Sequence, residues 1–276
     1  PATVGTQPPA AQPATADVRE AAAGMPADPA ARVGSVAAAL PVPRTEQGIG
    51  STVRASVAVL RGSRPLRTLL TTFVLHALAT GAMLAAAQYV ATYTVGAESA
   101  VTGLFVALVA PALLVMAPAR RLADRIGKDR ALAGSTVLFA LAAGSLVLLV
   151  AWPGPWLYVS VGLAGVAYAG MQLYPLAMLP DVISADARRT GQDRAGVIAG
   201  VWTAGETSGL ALGPTLALGV LAVTGFVSRT GTDPVSQPES ALVGVVLIFS
   251  ALPALLALLS LLPLRRYRLT RTEVDR

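Results

Sequence analysis

Residues 241–264 read ALVGVVLIFSALPALLALLSLLPL and contain no charged side chain. This stretch is longer than the roughly 20 apolar residues that an α-helix needs to cross the hydrocarbon core of a bilayer. A helix of that length in a water-soluble protein must present a polar face to water, and this stretch has none. The sequence therefore predicts a membrane-spanning helix here.

Five further stretches have the same composition, and we place them at 68–95, 99–119, 131–151, 155–179 and 195–226. The six stretches together hold 151 residues and one formal charge, Glu206, whereas the other 125 residues hold 35 charges. They do not alternate in polarity as the strands of a membrane β-barrel must. The sequence thus predicts an all-α integral membrane protein with six transmembrane helices, and it excludes an ordinary soluble domain.

Arginine and lysine fall almost entirely on one side of the predicted spans. Seventeen lie before the first span (from residue 51 on), in the second and fourth connections or after the last span, and Arg229 alone lies on the opposite side. Because basic loops stay in the cytoplasm, this bias predicts a multi-pass protein of the cell membrane with both termini cytoplasmic. Topology also accounts for the net charge of +6, so nucleic acid is not expected as a partner.

The segments that flank the spans are unlike them. Residues 1–63 begin with a long Ala/Pro-rich stretch that has no aliphatic periodicity, which predicts a disordered cytoplasmic linker. Residues 51–64 contain three arginines and modest apolar content, typical either of a short interfacial helix or of a plain tether. Residues 265–276 predict a basic cytoplasmic tail after a bundle over 64–264. Because the chain begins with Pro1 rather than Met, we expect it to be a piece of a longer protein.

Three segments of the sequence resemble one transporter family. They are PLRTLLTTFVLHALATGAMLAAAQYVATYTVG at 65–96, RLADRIGKDRAL at 121–132 and MQLYPLAMLPDVISADARRTGQDRAGVIAGVWTAGETSGLALGP at 171–214. They resemble the C-terminal half of the glycoside–pentoside–hexuronide cation symporters, the melibiose-permease-like branch of the major facilitator superfamily. The matching motif positions are Asp124, Arg125, Gly127, Lys128, Ala177, Met178, Asp181, Thr190, Gly191, Arg194, Gly196 and Gly209 to Gly213.

The resemblance implies helices 7–12 of a twelve-helix bundle, with the N-terminal six-helix half of the same transporter as partner. It implies a secondary active transporter that works by alternating access and couples sugars, glycosides or a related small polar solute to H⁺ or Na⁺, with no other cofactor. Two positions depart from the family: Thr207 stands where many sugar-transporting members have Lys, and His76 where they often have Asn. The resemblance therefore favours a sugar as the substrate but does not require one.

Two other function classes are alternatives to a transporter. An intramembrane enzyme would need a nucleophile paired with His, a phosphotransfer motif or a metal cluster, and the sequence offers none of these. We therefore predict that the protein is not an enzyme. A membrane scaffold without transport activity remains the alternative.

Polar residues inside the predicted spans are the candidates for a solute and ion pathway. Glu206 lies far inside its span, where a charge costs about 2.5–3.5 kcal/mol on insertion scales, so it must face protein or water. It is either a proton, cation or solute site or a carboxyl group that ties helices together. The candidates are Glu206, Thr207, Thr203, His76, Thr80, Gln88, Gln172 and Tyr174.

Two further features have both a functional and a structural interpretation. His76 shares a helical face with Thr72 and Thr80, and this face either lines a cavity or forms hydrogen bonds across a helix interface. A lone histidine predicts no metal site. Charged residues near the cytoplasmic helix ends form either an inner gate or solvated salt bridges; they are Asp124, Arg125, Asp181, Asp186 and Arg194.

Overall fold

The computed structural model of the chain describes residues 49–97, 99–228 and 236–267. Of the predicted linker at 1–63, residues 1–48 lie outside the described residues, as do residues 268–276 of the predicted tail. Every regular element within the described ranges is helical. The helices are α1 Ile49–Gly62, α2 Arg64–Tyr89, α3 Ala100–Ile126, α4 Lys128–Ser145, α5 Leu157–Thr190, α6 Ala195–Val223, α7 Glu239–Phe249 and α8 Ala251–Leu264.

Six helical segments in the described residues are long and apolar enough to cross a membrane. A π-helical turn at Val90–Val95 continues α2, and a 3₁₀ turn at Leu146–Val150 continues α4. The pair α7 and α8 together form the sixth segment, Glu239–Leu264. The predicted all-α fold with six spans is confirmed.

The ends and breaks of the spans differ from the predicted boundaries. The helices α3 and α5 continue to Ile126 and Thr190, well past the first charged residues, because a helix does not have to stop where the apolar composition stops. The sixth span is interrupted at Ser250. Pro253 has no N–H to donate to the carbonyl of Phe249, so the backbone ladder is broken at this point.

Two glycines make the tight connections at one end of the bundle, which we call the basic end. Gly127 alone separates α3 from α4 and has a φ of +96°, and Gly191 follows α5 with a φ of +66°. Side chains disfavour such positive φ values, whereas glycine tolerates them. This conformational need explains the glycine in the Asp-Arg-x-Gly and Thr-Gly motifs.

Helix α2 lies at the centre of the bundle and packs most extensively against α6 and α8. The contact with α6 depends on small residues, as glycine steps along a membrane helix predict. A Cβ atom on Gly209 would lie 2.9 Å from the carbonyl oxygen of Val74, and one on Gly213 would lie 2.5 Å from the backbone nitrogen of Ala82. The backbones of α2 and α6 therefore approach to a distance that only glycine allows.

The remaining helices surround this pair. Helix α5 packs against α3 and α4, and α8 packs against α4 as well as α2. Helix α1 contacts α6 and α2 and buries Val59. Of the most apolar 18 residues of each span, 11% are buried in α3 and 22% in α6, against 61% in the span that contains α2. The bundle thus leaves most of α3 and α6 uncovered.

Candidate functional site

The candidate site comprises a polar side of α6 around Glu206 and a polar side of α5. Thr203 and Glu206 are three residues apart and share one side of α6, and Tyr168 and Gln172 are four apart and share one side of α5. Glu206 and Tyr168 are near enough for an electrostatic interaction, but α5 and α6 do not pack extensively against each other. Glu206, Tyr168 and Gln172 are half-buried, and Thr203 is exposed.

Glu206 is a half-buried carboxylate for which the described residues supply no hydrogen bond and no ion pair. Of the two interpretations of Glu206, a carboxyl group that ties helices of this bundle together is therefore not supported. A charge held near the middle of a membrane span with no protein partner is costly unless water, an ion or another protein surface reaches it.

Packing on either side of Glu206 fixes its position on α6. The ring of Trp202, one turn earlier, stacks on Phe73 of α2 with centroids 4.4 Å apart and planes inclined by 19°. Gly205 lies against Leu70 and Val74 of α2, so the neighbouring backbone has little freedom. The carboxylate thus projects from a rigid helix contact rather than from a loop.

His76 lies in a separate polar cluster between α2, α4 and α8. Its Nε2 atom is 2.8 Å from Ser260 Oγ and 3.2 Å from Thr136 Oγ1, and its side chain is buried. Both hydroxyl groups donate their proton to carbonyl groups of their own helices, those of Ala257 and Leu132. Because each hydroxyl proton is used in this way, the arrangement favours a ring proton on Nε2, which can then donate to the hydroxyl oxygens.

The neighbours of His76 extend this cluster along α2. The hydroxyl of Thr72 lies 3.3 Å from the carbonyl oxygen of Ser260, and Thr80 is also buried. The hydrogen bonds of His76 run to α4 and α8 rather than to α5 or α6. This placement favours the helix-interface interpretation for His76 and Thr80 over cavity lining.

The other pathway candidates are dispersed. Thr207 is exposed on α6 beside Glu206, Gln88 is exposed on α2, and the amide of Gln88 lies 3.4 Å from the hydroxyl of Thr92. Tyr174 is buried and donates its phenol proton to the carbonyl oxygen of Ala119 at 3.1 Å, which ties α5 to α3. Thr203 and Thr207 thus lie on α6 with Glu206, and Gln172 lies on the side of α5 that carries Tyr168, whereas Gln88 and Tyr174 lie elsewhere.

Lys128 joins two of the sequence motifs at the basic end. Its Nζ atom donates to Asp181 Oδ2 at 2.7 Å and to the carbonyl oxygen of Ala177 at 2.9 Å. The Asp-Arg-x-Gly-Lys connection is thereby tied to the Ala-Met-x-x-Asp run of α5. Asp124 and Arg125, the first two residues of that motif, are exposed.

Asp186 is the centre of a second ionic group at the basic end. Only 1% of its side chain is exposed, and it accepts hydrogen bonds from Arg189 at 2.9 Å and from Arg194 at 3.0 and 2.7 Å. These ion pairs tie the connection between α5 and α6 to the end of α5. Asp181, Asp186 and Arg194 thus form bonds within this bundle, and a gating role for them would require exchange with partners outside it.

No group of three or more His, Asp or Glu side chains that could hold a metal ion occurs in the described residues. Residues 38–271 match the sequence profile of the family described as MFS/sugar transport protein. The chain belongs to this family. A transporter rather than an enzyme is therefore indicated, as the sequence predicted, and the protein is a multi-pass membrane protein.

One relative carries a name of the same class. The chain is 33% identical over 138 residues to the uncharacterized symporter sll1374 of Synechocystis sp., and this match covers 46% of the chain and 25% of that protein. The chain thus matches about a quarter of the length of this relative. The predicted family relationship to major facilitator symporters is confirmed.

Sequence reasoning missed several residues that belong to the candidate site or support it. Tyr168 interacts electrostatically with Glu206, and its spacing of four residues from Gln172 is a signal that could have revealed it. The stacking of Trp202 on Phe73 and the bonds of His76 to Thr136 and Ser260 join distant helices. No local pattern predicts contacts of that kind.

Proposed function

We propose that this bundle is the C-terminal half of a cation-coupled secondary transporter for a sugar, a glycoside or a related small polar solute. The observation that carries the proposal is Glu206, a half-buried carboxylate in a membrane span that has no hydrogen-bond or ion-pair partner among the described residues. Thr203 and Thr207 on the same helix and Gln172 on α5 offer hydroxyl and amide groups of the kind that a polyhydroxylated solute binds.

In the proposed transporter, the Glu206 carboxylate couples solute movement to cation movement. A proton or Na⁺ that binds Glu206 neutralises a charge whose solvation at this depth is poor, which lowers the cost of moving the site between the two sides of the membrane. The solute binds beside the ion through neutral polar groups. Solute and ion transport are coupled when the site changes sides readily if it is empty or holds both solute and ion, and slowly if it holds only one of them.

From the exposed surface of the bundle we infer that its partner is a second six-helix half. In major-facilitator-type transporters the solute lies near the bilayer midplane between two halves that rock against each other. The uncovered sides of α3 and α6, together with the unpaired carboxylate on α6, suit such a partner better than lipid. A membrane scaffold would show no solute flux through this site, so transport measurements distinguish it from the proposed transporter.

Uptake of labelled sugars and glycosides tests the proposed activity. We expect cells that express this bundle together with its N-terminal half to accumulate at least one such solute above the external concentration. A protonophore should abolish accumulation if H⁺ is the coupling ion, and removal of external Na⁺ should abolish it if Na⁺ is. Accumulation that persists when both gradients are collapsed would contradict cation coupling.

The proposed orientation places the basic end in the cytoplasm of the cell that carries the protein. The chain contains no cysteine, so single cysteines report accessibility without background. Ala151→Cys and Ser236→Cys, both exposed near the opposite end, should react with an impermeant thiol reagent added to intact cells. Arg121→Cys and Gln192→Cys should react only after the cells are permeabilised. The reverse pattern would show that the bundle is inverted.

A further inference from the structure

Two grooves on the surface of the bundle meet at Arg130, near the first turn of α4. The α4–α8 groove is lined by Arg130, Gly134 and Val137 of α4 and by Leu261, Leu264 and Arg265, and its volume is about 500 Å³. The α3–α5 groove also has a volume of about 500 Å³ and runs past Pro118, Leu122, Val166 and Gly170 to Tyr174. Arg130 and Gly134 line both grooves.

The walls of both grooves are apolar away from the basic end. Along α4, Val137 is 40% exposed and Leu141 is 68% exposed, so an uncovered apolar strip continues from the grooves toward the middle of the span. Gly134 separates the grooves, and nothing lies within 4 Å of the position that its Cβ would take. A hydrocarbon chain can therefore lie on each side of α4 without a ridge between them.

The end where the grooves meet carries uncompensated positive charge. Arg130 and Arg265 are exposed, and the described residues supply no ion pair to either guanidinium group. Asp129 also lines the α4–α8 groove, which leaves an excess of one positive charge on its walls. Arg130 lies in the first turn of α4 and Arg265 directly follows α8, where we expect the headgroups of a bilayer.

Tyr267 adds a neutral donor at the same place. It lines the α4–α8 groove beside Arg265. Burial, together with the negative charges of Asp181 and Asp129, raises the pKa of its phenol above the ordinary value. The phenol stays protonated at physiological pH and can donate a hydrogen bond to an anionic oxygen.

These grooves lie away from the candidate transport site. Val166, Gly170 and Tyr174 follow one another at four-residue spacing along α5, whereas Tyr168 and Gln172 are each two residues from a member of that row. Two residues correspond to about 200° around a helix, so the two sets lie on opposite sides of α5. A ligand in the grooves would leave the Glu206 side free.

We propose that Arg130 and Arg265 bind the phosphate of an anionic diacyl phospholipid whose two acyl chains lie in the α4–α8 groove and the α3–α5 groove. Paired grooves that converge on unpaired cations match one headgroup with two chains. Basic pockets between membrane helices bind anionic headgroups by the same charge complementarity. The site holds a membrane lipid rather than a soluble anion, because most of its lining surface is apolar.

Native mass spectrometry of the purified chain in detergent tests this site. With phosphatidylglycerol and phosphatidylcholine of identical acyl chains, we expect the first phosphatidylglycerol molecule to bind about tenfold more tightly than phosphatidylcholine. The double variant Arg130→Gln/Arg265→Gln should bind both lipids equally. Arg121→Gln, which removes an exposed arginine that lines neither groove, should keep the full preference.

Two further measurements separate the parts of the proposal. Gly134→Trp keeps both arginines and fills the space between the grooves, so it should weaken binding of phosphatidylglycerol while its thermal unfolding stays close to that of the unaltered chain. The variant Arg130→Lys/Arg265→Lys should retain most of the preference for phosphatidylglycerol. Inorganic phosphate at the same concentration as the lipid should not compete.

Three results would overturn the lipid site. They are equal binding of the two lipids by the unaltered chain, an unchanged preference in the double Gln variant, and full competition by inorganic phosphate, which would indicate a simple anion site.

Discussion

Glu206→Gln should lower gradient-driven accumulation by the complete transporter by at least about tenfold, which corresponds to about 1.4 kcal/mol in the rate-limiting step. The substitution keeps the size and most of the hydrogen-bonding capacity of the side chain and removes its charge. Because no described residue pairs with this carboxylate, little native structure depends on it. The loss should therefore appear in ion coupling and not in the amount of folded protein.

Exchange of labelled for unlabelled solute across the membrane should survive Glu206→Gln better than accumulation does. During exchange the site returns across the membrane with solute and ion bound, so the coupling ion does not have to dissociate. Glu239→Gln is the matched control, because Glu239 is an exposed carboxylate at the start of α7. If accumulation and exchange per folded molecule both stay unchanged in Glu206→Gln, Glu206 has no place in the pathway.

Gly213→Ala should destabilise the bundle by about 1–3 kcal/mol, the usual cost of overpacking a tight interior. Its new methyl group would lie 2.5 Å from the backbone nitrogen of Ala82 and 2.6 Å from the carbonyl carbon of Gly81. Backbone atoms cannot rotate away as a side chain can, so α2 and α6 must separate. Because α6 carries Glu206, transport per folded molecule should fall as well.

Gly219→Ala is the control for this effect, since it makes the same change on the same helix where nothing lies within 4 Å of the added atom. We expect its stability to be unchanged or slightly raised, because alanine favours helix more than glycine does. Thermal unfolding of the purified variants measures both. Equal unfolding temperatures for the two variants would contradict the close α2–α6 contact.

The six spans could be predicted because a bilayer imposes a composition that is visible in the sequence. Stretches such as 241–264 lack charge over a length that water-soluble helices do not reach. The break at Ser250 was less visible, although Pro253 is its physical cause. The continuation of α5 to Thr190 was missed because charged residues end an apolar stretch without ending the helix.

The roles of individual polar residues could not be predicted to the same depth. His76 and Glu206 look alike in the sequence, since each is an isolated polar group within an apolar span. Their difference comes from neighbours that are distant in the chain: Thr136 and Ser260 bond to His76, whereas no described residue bonds to Glu206. Such contacts depend on how the helices pack, which a single sequence does not show.

The motifs at the basic end illustrate the same limit. The resemblance singled out Lys128 and Asp181 as parts of separate motifs, and the structure joins them in one ion pair of 2.7 Å. The sequence left an inner gate and solvated salt bridges as open alternatives. Asp186 is buried, which argues against simple solvation, but its partners Arg189 and Arg194 both belong to this bundle.

Solute uptake into proteoliposomes, compared between this six-helix bundle alone and the bundle reconstituted with its N-terminal half, tests the central claim most directly. Under a cation gradient, the bundle alone should show uptake no greater than empty vesicles, because the Glu206 side of α6 then faces lipid and forms no enclosed site. The two halves together should restore uptake. Robust gradient-driven uptake by the monomeric bundle alone would contradict the account.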